Sequence, residues 1–201
     1  MGSPRIPLEP EGVYHIYNHA VGSDNIFRDD ENYLFFLRKF ASRIIFFADV
    51  LSYCLMPNHF HFVLRIKDAN HLDMIWRDKP NKKKLNQADF YDAIITTQFA
   101  NLFNSYVQAF NKKYLRQGTL LKESFQRKRI ETNEYLIKII CYVHNNPVNH
   151  GFAKRDSWKY SSYNAIMSDK KTYVLRDEVL QLFGGKDNFE FIHQQNAGSE
   201  I

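Results

Sequence analysis

His59 and His61 flank Phe60 at the start of HFHFVLRI, a run whose composition reads as a β-strand. The two-residue period of a strand places both imidazoles on one face and Phe60 on the other, so two ring nitrogens can converge on one metal ion. The alternative for such a pair is partly exposed histidines on an open sheet face. A third ligand and an attacking group must come from elsewhere. Tyr142 and Asn146 lie four residues apart in YVHNNPVNHGF, within a segment of helical pattern, and so stack on one face about a turn from each other. The apolar stripe of that helix is Leu136, Ile139, Ile140 and Val143. Tyr142 lies on its flank and can face a cleft. With this helix beside the histidine strand, Asn146 completes a His59, His61, Asn146 metal site with Tyr142 next to it. Three neutral ligands leave the ion's charge uncancelled, which suits a Lewis acid polarising a phosphodiester for attack by the tyrosine oxygen. A free phenol has a pKa near 10, so attack at neutral pH needs the field of the metal or of a lysine such as Lys138. The alternative for Tyr142, in a chain with 12 tyrosines, is a packing aromatic.

The elements that must position these groups follow from pattern. VYHIYNHA is β-rich, and Asp29-Asp30-Glu31 then opens a helix with Tyr33, Leu37, Phe40, Ala41 and Ile44 at helical spacing. DVLSYCLM, a Pro57-Asn58 turn and HFHFVLRI read as a hairpin. Residues 68 to 88 are polar and lysine-rich and read as a mobile loop. Phe99, Phe103, Tyr106 and Phe110 mark a long amphipathic helix ending near Tyr114. Phe125 to Glu131 is a short basic strand. Thr132 caps the tyrosine helix, which is expected to stop near Asn146 because Pro147 disfavours helical geometry before it. This order predicts an α+β fold, a ferredoxin-like antiparallel sheet with helices packed on one face. The sheet domain covers 1–168, and a short C-terminal helical extension, 169–201, carries helical patterns at Arg176 to Phe183 and Lys186 to Gln195.

The net charge of +5 over 201 residues is a mild argument for a polyanionic partner. Its distribution says more. Between Arg77 and Arg129 twelve Lys or Arg face four Asp or Glu, so the remainder is slightly acidic. Lys112, Lys113, Arg116, Arg127, Lys128 and Arg129, interleaved with aromatics and joined by Lys138, are the expected DNA-binding cations; a solvated lysine-rich surface is the bland alternative. The longest apolar run, Ile44 to Ala48, is far short of the roughly 20 residues that span a bilayer. The first ten residues carry no pattern of a secretion signal, and Cys54 and Cys141, far apart, fit a reducing cytoplasm rather than a disulfide scaffold or a cysteine metal site.

YCLMPNHFHFVL and YVHNNPVNHGF together resemble the HUH single-tyrosine transposases, and within them the REP-associated tyrosine transposases. YHIYNHAVGSDNIFRDDENY, FNKKYLRQGTLLKESFQRKRI and WKYSSY extend the resemblance over about residues 13 to 165; the lysine-rich stretch from Lys79 to Lys84 and the tail after Ser168 lie outside it. The resemblance implies a ferredoxin-like fold, magnesium or manganese, a covalent 5′-phosphotyrosine intermediate with a free 3′-hydroxyl, and single-stranded or hairpin DNA as partner, for a monomer or homodimer. It matches His59 and His61 to the metal histidines, Tyr142 to the nucleophile and Asn146 to the polar ligand. Two other readings stand beside it. One is a non-catalytic single-stranded nucleic-acid-binding module on the same sheet. The other is a metal hydrolase activating water, disfavoured by the lack of an acidic residue flanking the histidine pair. His15, His19, His144, His150 and His193 read as structural or surface groups; His15 and His19 share one face of the first strand, and lining the sheet with a metal role is the lesser alternative for them.

Overall fold

The computed structural model describes residues 6–76, 87–122 and 124–196. Its elements are β1 (Val13–His19), α1 (Asp30–Arg43), β2 (Ala48–Met56), β3 (His59–Ile66), α2 (Ala69–Trp76), α3 (Gln87–Lys113), β4 (Gln126–Ile130), α4 (Asn133–Asn149), α5 (Tyr163–Met167), α6 (Arg176–Phe183) and α7 (Lys186–Gln195). The strands form one antiparallel sheet in the order β2-β3-β1-β4. With β1, α1, β2, β3, α3 and β4 in chain order, that is the ferredoxin-like arrangement expected.

Strand alternation divides the sheet into two chemically different faces. On one, Phe60 and Phe62 of β3 meet Phe36 and Phe40 of α1 and Phe103 of α3; Phe40 and Phe62 stack at 4.2 Å between ring centroids. Rings interlocked in this way contribute about 0.5–1.5 kcal/mol per pair beyond the area they bury. The helices of this face are the pair expected from the order of elements. The tyrosine helix α4 lies on the other face, which carries His59 and His61, so beyond the expected pair on one face a further helix packs on the opposite one. Asp29 starts α1 by accepting the backbone N–H of Asn32 at 2.9 Å, and Thr132 starts α4 by accepting that of Tyr135 at 3.2 Å.

Two boundaries differ from expectation. The loop expected over 68 to 88 contains a helix, α2: Asp68 accepts the backbone N–H of His71 at 3.0 Å, and Leu72 is buried, so one cap and one anchor residue suffice for a short helix. The Lys79 to Lys84 stretch lies outside the described residues. Pro147 sits inside α4 rather than ending it at Asn146, because a proline near a C-terminus removes only one N–H donor and the last turn closes through the His150 N–H to Asn146 O at 3.0 Å.

The free edge of β2 is covered from the C-terminal side. Leu55 N–H donates to Tyr160 O and Ser162 N–H to Tyr53 O, both at 2.9 Å, and Leu175 N–H donates to Val50 O at 2.9 Å. A chain of side chains joins the same region to α4. Buried His193 donates from Nδ1 to Phe189 O at 2.7 Å, which leaves its Nε2 to accept from His144 Nδ1 at 2.8 Å; His144 Nε2 in turn lies 2.7 Å from the Ser162 hydroxyl. Arg155 adds bonds to Asn145 Oδ1 at 2.5 Å and to His193 O at 2.7 Å. His144 and His193 are therefore structural groups, in line with the sequence reading.

Burial pushes the His193 pKa from 6.5 down to about 3. As pH falls from 6.5 the unfolded chain takes up the proton first, so the stability contributed by the neutral buried ring is complete above 6.5 and is lost towards 3, at up to about 1.4 kcal/mol per pH unit for each such group. Urea unfolding followed from pH 7 to 4 is expected to show falling stability, with a slope shallower by about one proton in His193→Gln. An unchanged slope in that variant would assign the loss to other groups.

Candidate active site

The two-residue turn at Pro57-Asn58 fixes where β3 begins, and backbone bonds hold the turn in place: Ala20 N–H donates to Asn58 O at 2.7 Å and Phe27 N–H to Pro57 O at 3.0 Å. His59 and His61 then share a face as expected, with ring centroids 5.0 Å apart. They are not on an open surface. Packing of α4 against β2 and β3 leaves them 4% and 3% exposed. Asn146, fully buried, brings its Oδ1 to 3.1 Å from His59 Nε2, and Tyr142, half-buried one turn earlier, stands edge-on to His61 with centroids 5.4 Å apart. Asn146 Nδ2 donates to Tyr142 O at 2.9 Å, so its amide orientation is set. Tyr142, His59, His61 and Asn146, the four residues singled out by spacing, lie together.

Burial lowers the His59 pKa to about 4 and that of His61 well below 6.5, so both rings are neutral near pH 7. A neutral imidazole has one proton, yet His59 meets two oxygens: Asn58 Oδ1 at 2.8 Å from Nδ1 and Asn146 Oδ1 at 3.1 Å from Nε2. With the proton on the shorter side, the Nε2 and Asn146 lone pairs face each other. His61 Nε2 is buried with no hydrogen-bond partner among the described residues. These three donor atoms, two imidazole nitrogens and an amide oxygen, fit a divalent cation, which would satisfy all of them. Among the described residues no three His, Cys, Asp or Glu side chains form a metal cluster, so any such site here depends on the asparagine.

Three side chains of this face were not selected from sequence. His19 stacks on His59 at 4.9 Å, His15 Nε2 lies 2.9 Å from His61 Nδ1, and Tyr17 stacks on His15 at 4.8 Å. The signal was present: His15, Tyr17 and His19 alternate along β1, and the register sets His19 opposite His59 and Tyr17 opposite His61. Pairing of β1 with β3 is a long-range fact that the local pattern does not contain. Exposed His150 also reaches His59, at 5.1 Å. The two cysteines are no rival nucleophiles, since burial raises both thiols, Cys141 to about 12. Tyr17 is the second phenol beside the histidines.

The expected DNA-binding cations divide into two groups. Lys113 pairs with Asp29 and Glu31 at 2.8 and 2.7 Å, Arg116 with Asp24 at 2.5 Å, and Arg129 with Glu9. Arg127 lies on the aromatic face of the sheet, 7% exposed, bonded to Asp92 at 2.5 Å and to Thr96 at 3.0 Å. Lys112, Lys128 and Lys138 are exposed, and no ion pair to any of them is found among the described residues. Lys128 stands opposite His15 in the β1–β4 register, on the histidine face.

No family model matches the chain. Over 122 residues it is 25% identical to a Haemophilus influenzae protein named as a REP-associated tyrosine transposase, a match covering 58% of this chain and 59% of that protein. A solved structure of a REP-associated tyrosine transposase bound to a REP hairpin matches with a TM-score of 0.61 at 13% identity, over 84% of this chain and 87% of the other, which establishes the likeness of fold. Among the described residues no helix is long and apolar enough to cross a membrane. In sequence and in fold, the chain is similar to the REP-associated tyrosine transposases, the group that its histidine and tyrosine motifs resemble.

Proposed function

We propose that the chain is a transposase-type nuclease and strand transferase, in which Tyr142 cleaves single-stranded, hairpin-containing DNA and the cut strand is rejoined. The observation that carries this reading is the assembly of half-buried Tyr142 with buried His61, His59 and Asn146, a cluster in which His61 Nε2 has no hydrogen-bond partner among the described residues. His59, His61 and Asn146 would hold Mg²⁺ or Mn²⁺, which supplies Lewis-acid polarisation of the scissile phosphate when bound. Tyr142 would form a bond from its phenolic oxygen to phosphorus while the bond to the 3′ oxygen breaks. The phenolic proton is released, the departing oxygen takes up a proton, and a 5′-phosphotyrosine and a free 3′-hydroxyl result. Attack of a 3′-hydroxyl on that phosphotyrosine reverses the exchange and frees Tyr142. The α4 backbone keeps the phenol beside His61, so a phosphate held at the histidines would meet it with little motion.

Lys128 and Lys138 are the cations best placed to meet phosphates. Lys128 lies on the histidine face, and Lys138 is one turn before Tyr142 on α4. Lys113, Arg116 and Arg129 are engaged by neighbouring carboxylates and Arg127 is buried, so their contribution to DNA affinity should be smaller. Soluble action in the cytoplasm and the choice of monomer or homodimer belong to this proposal as well.

Labelled single-stranded hairpin DNA from sequence flanking the gene, incubated with protein and Mn²⁺ and run on a denaturing gel, is expected to give a slow covalent band. Tyr142→Phe and added chelator should each abolish the band while DNA binding persists, and Tyr17→Phe should retain it. Binding without cleavage in every protein would favour the non-catalytic module instead. A second measurement separates the cations. Lys128→Ala and Lys138→Ala are each expected to weaken hairpin binding and lower the salt slope by about 1. Arg127→Ala should instead cost about 1.5–3 kcal/mol of stability in urea, because it removes the buried guanidinium's charged hydrogen bond to Asp92, which keeps the Leu8 N–H and the Thr96 hydroxyl. Equal loss of DNA affinity across all three, at unchanged stability, would refute that division.

A further inference from the structure

His15 has no role in the function proposed above, yet among the described residues it makes the one hydrogen bond found to the His61 ring. It is buried on β1, and its Nε2 lies 2.9 Å from His61 Nδ1, whereas His61 Nε2 is buried without a partner among the described residues. A neutral imidazole carries one proton, so the bond has two forms. If His15 donates from Nε2, His61 must carry its own proton on Nε2, a buried N–H with no acceptor. If His61 donates from Nδ1, it presents a bare lone pair at Nε2. The second form avoids a stranded donor, the rarer defect in protein interiors, and it is also the form a metal ligand must take. His59 is treated in the same way, its Nδ1 lying 2.8 Å from Asn58 Oδ1.

The surroundings keep His15 in place as an acceptor. Tyr17 stacks on it at 4.8 Å, the edge of Tyr142 stands 6.1 Å away, and Val63 and Lys128 lie opposite it on the neighbouring strands. The ring is closed in by β1, β3, β4 and α4 together.

We propose that His15 is a positioning residue for His61: its Nε2 accepts the Nδ1 proton and so fixes the tautomer and ring orientation that offer His61 Nε2 to a divalent cation. This inference rests on the metal reading of the previous subsection. It assigns His15 no contact with the cation or with the reacting phosphate.

The test is calorimetric titration of the full chain with Mn²⁺, in wild type, His61→Ala, His15→Phe and His15→Gln, alongside imidazole ¹⁵N NMR of the metal-free wild type. Wild type is expected to bind one ion, and His61→Ala to lose it. His15→Phe should weaken binding about 10- to 100-fold. His15→Gln, whose side-chain oxygen can accept the same proton, should recover part of the loss. The spectrum should show His61 protonated at Nδ1. Melting temperature and hairpin binding in chelator should stay near wild type in the His15 variants. If His15→Phe binds Mn²⁺ as wild type does while His61→Ala does not, the role of His15 is overturned and the metal reading stands. If wild type binds no Mn²⁺, or binds it equally after His61→Ala, the metal reading falls and this inference with it. Should His15→Phe fail to fold, the wild-type spectrum decides, and a His61 proton on Nε2 overturns the proposal.

Discussion

His59 has one proton and an oxygen at either end of its ring, and the geometry around the site follows from that mismatch. Asn146 cannot remove it by turning its amide over, because its Nδ2 is already bonded to Tyr142 O. The helix α4 meets the sheet at this buried polar contact, and further interactions hold it there. They are visible along its buried side: Ile139, Ile140 and Val143 are fully buried, Asn145 is tied to Arg155, and His144 is tied to His193 and Ser162. A polar cluster of this kind, left incomplete in a low-dielectric setting, marks sites where stability is traded for function. Under the proposed function, a bound cation is what makes the cluster complete.

The division of the sheet into an aromatic face and a histidine face lets these demands coexist. Phe60 and Phe62 alternate with His59 and His61 along one strand, so eight consecutive residues serve both stability and the site. A one-residue slip in the pairing of β3 would turn the histidines into the aromatic core and the phenylalanines towards α4. The aromatic packing thus enforces the register on which the site depends. The β2–β3 turn, gripped by Ala20 and Phe27, enforces it from the other end.

Much of this was legible in sequence because it is local. The strand bounds of HFHFVLRI, the helix bounds of α6 and α7 and the Thr132 cap all follow from residue types within a few positions of one another. The pairing of Tyr142 with Asn146 is helix periodicity. What escaped was non-local or marginal. The helix over 69–76 is short and rests on a single buried leucine, too little apolar pattern to stand out in a polar stretch. His15, Tyr17 and His19 acquire their meaning only from the β1–β3 register. Likewise, the basic run around β4 gives no warning that Arg127 turns inward to Asp92 while Lys128, its neighbour, faces out.

The backbone bonds from residues 160, 162 and 175 to β2 have a consequence beyond tying down the C-terminal segment. The strand they cover, ADVLSYCLM, is nine residues long, rich in β-formers and mostly buried. Left bare, such an edge would offer its amides and carbonyls to any other extended chain, including a second copy of itself. The segment from 160 to 175 thus acts as a guard against self-adhesion, and damage to it would be felt first as a loss of solubility.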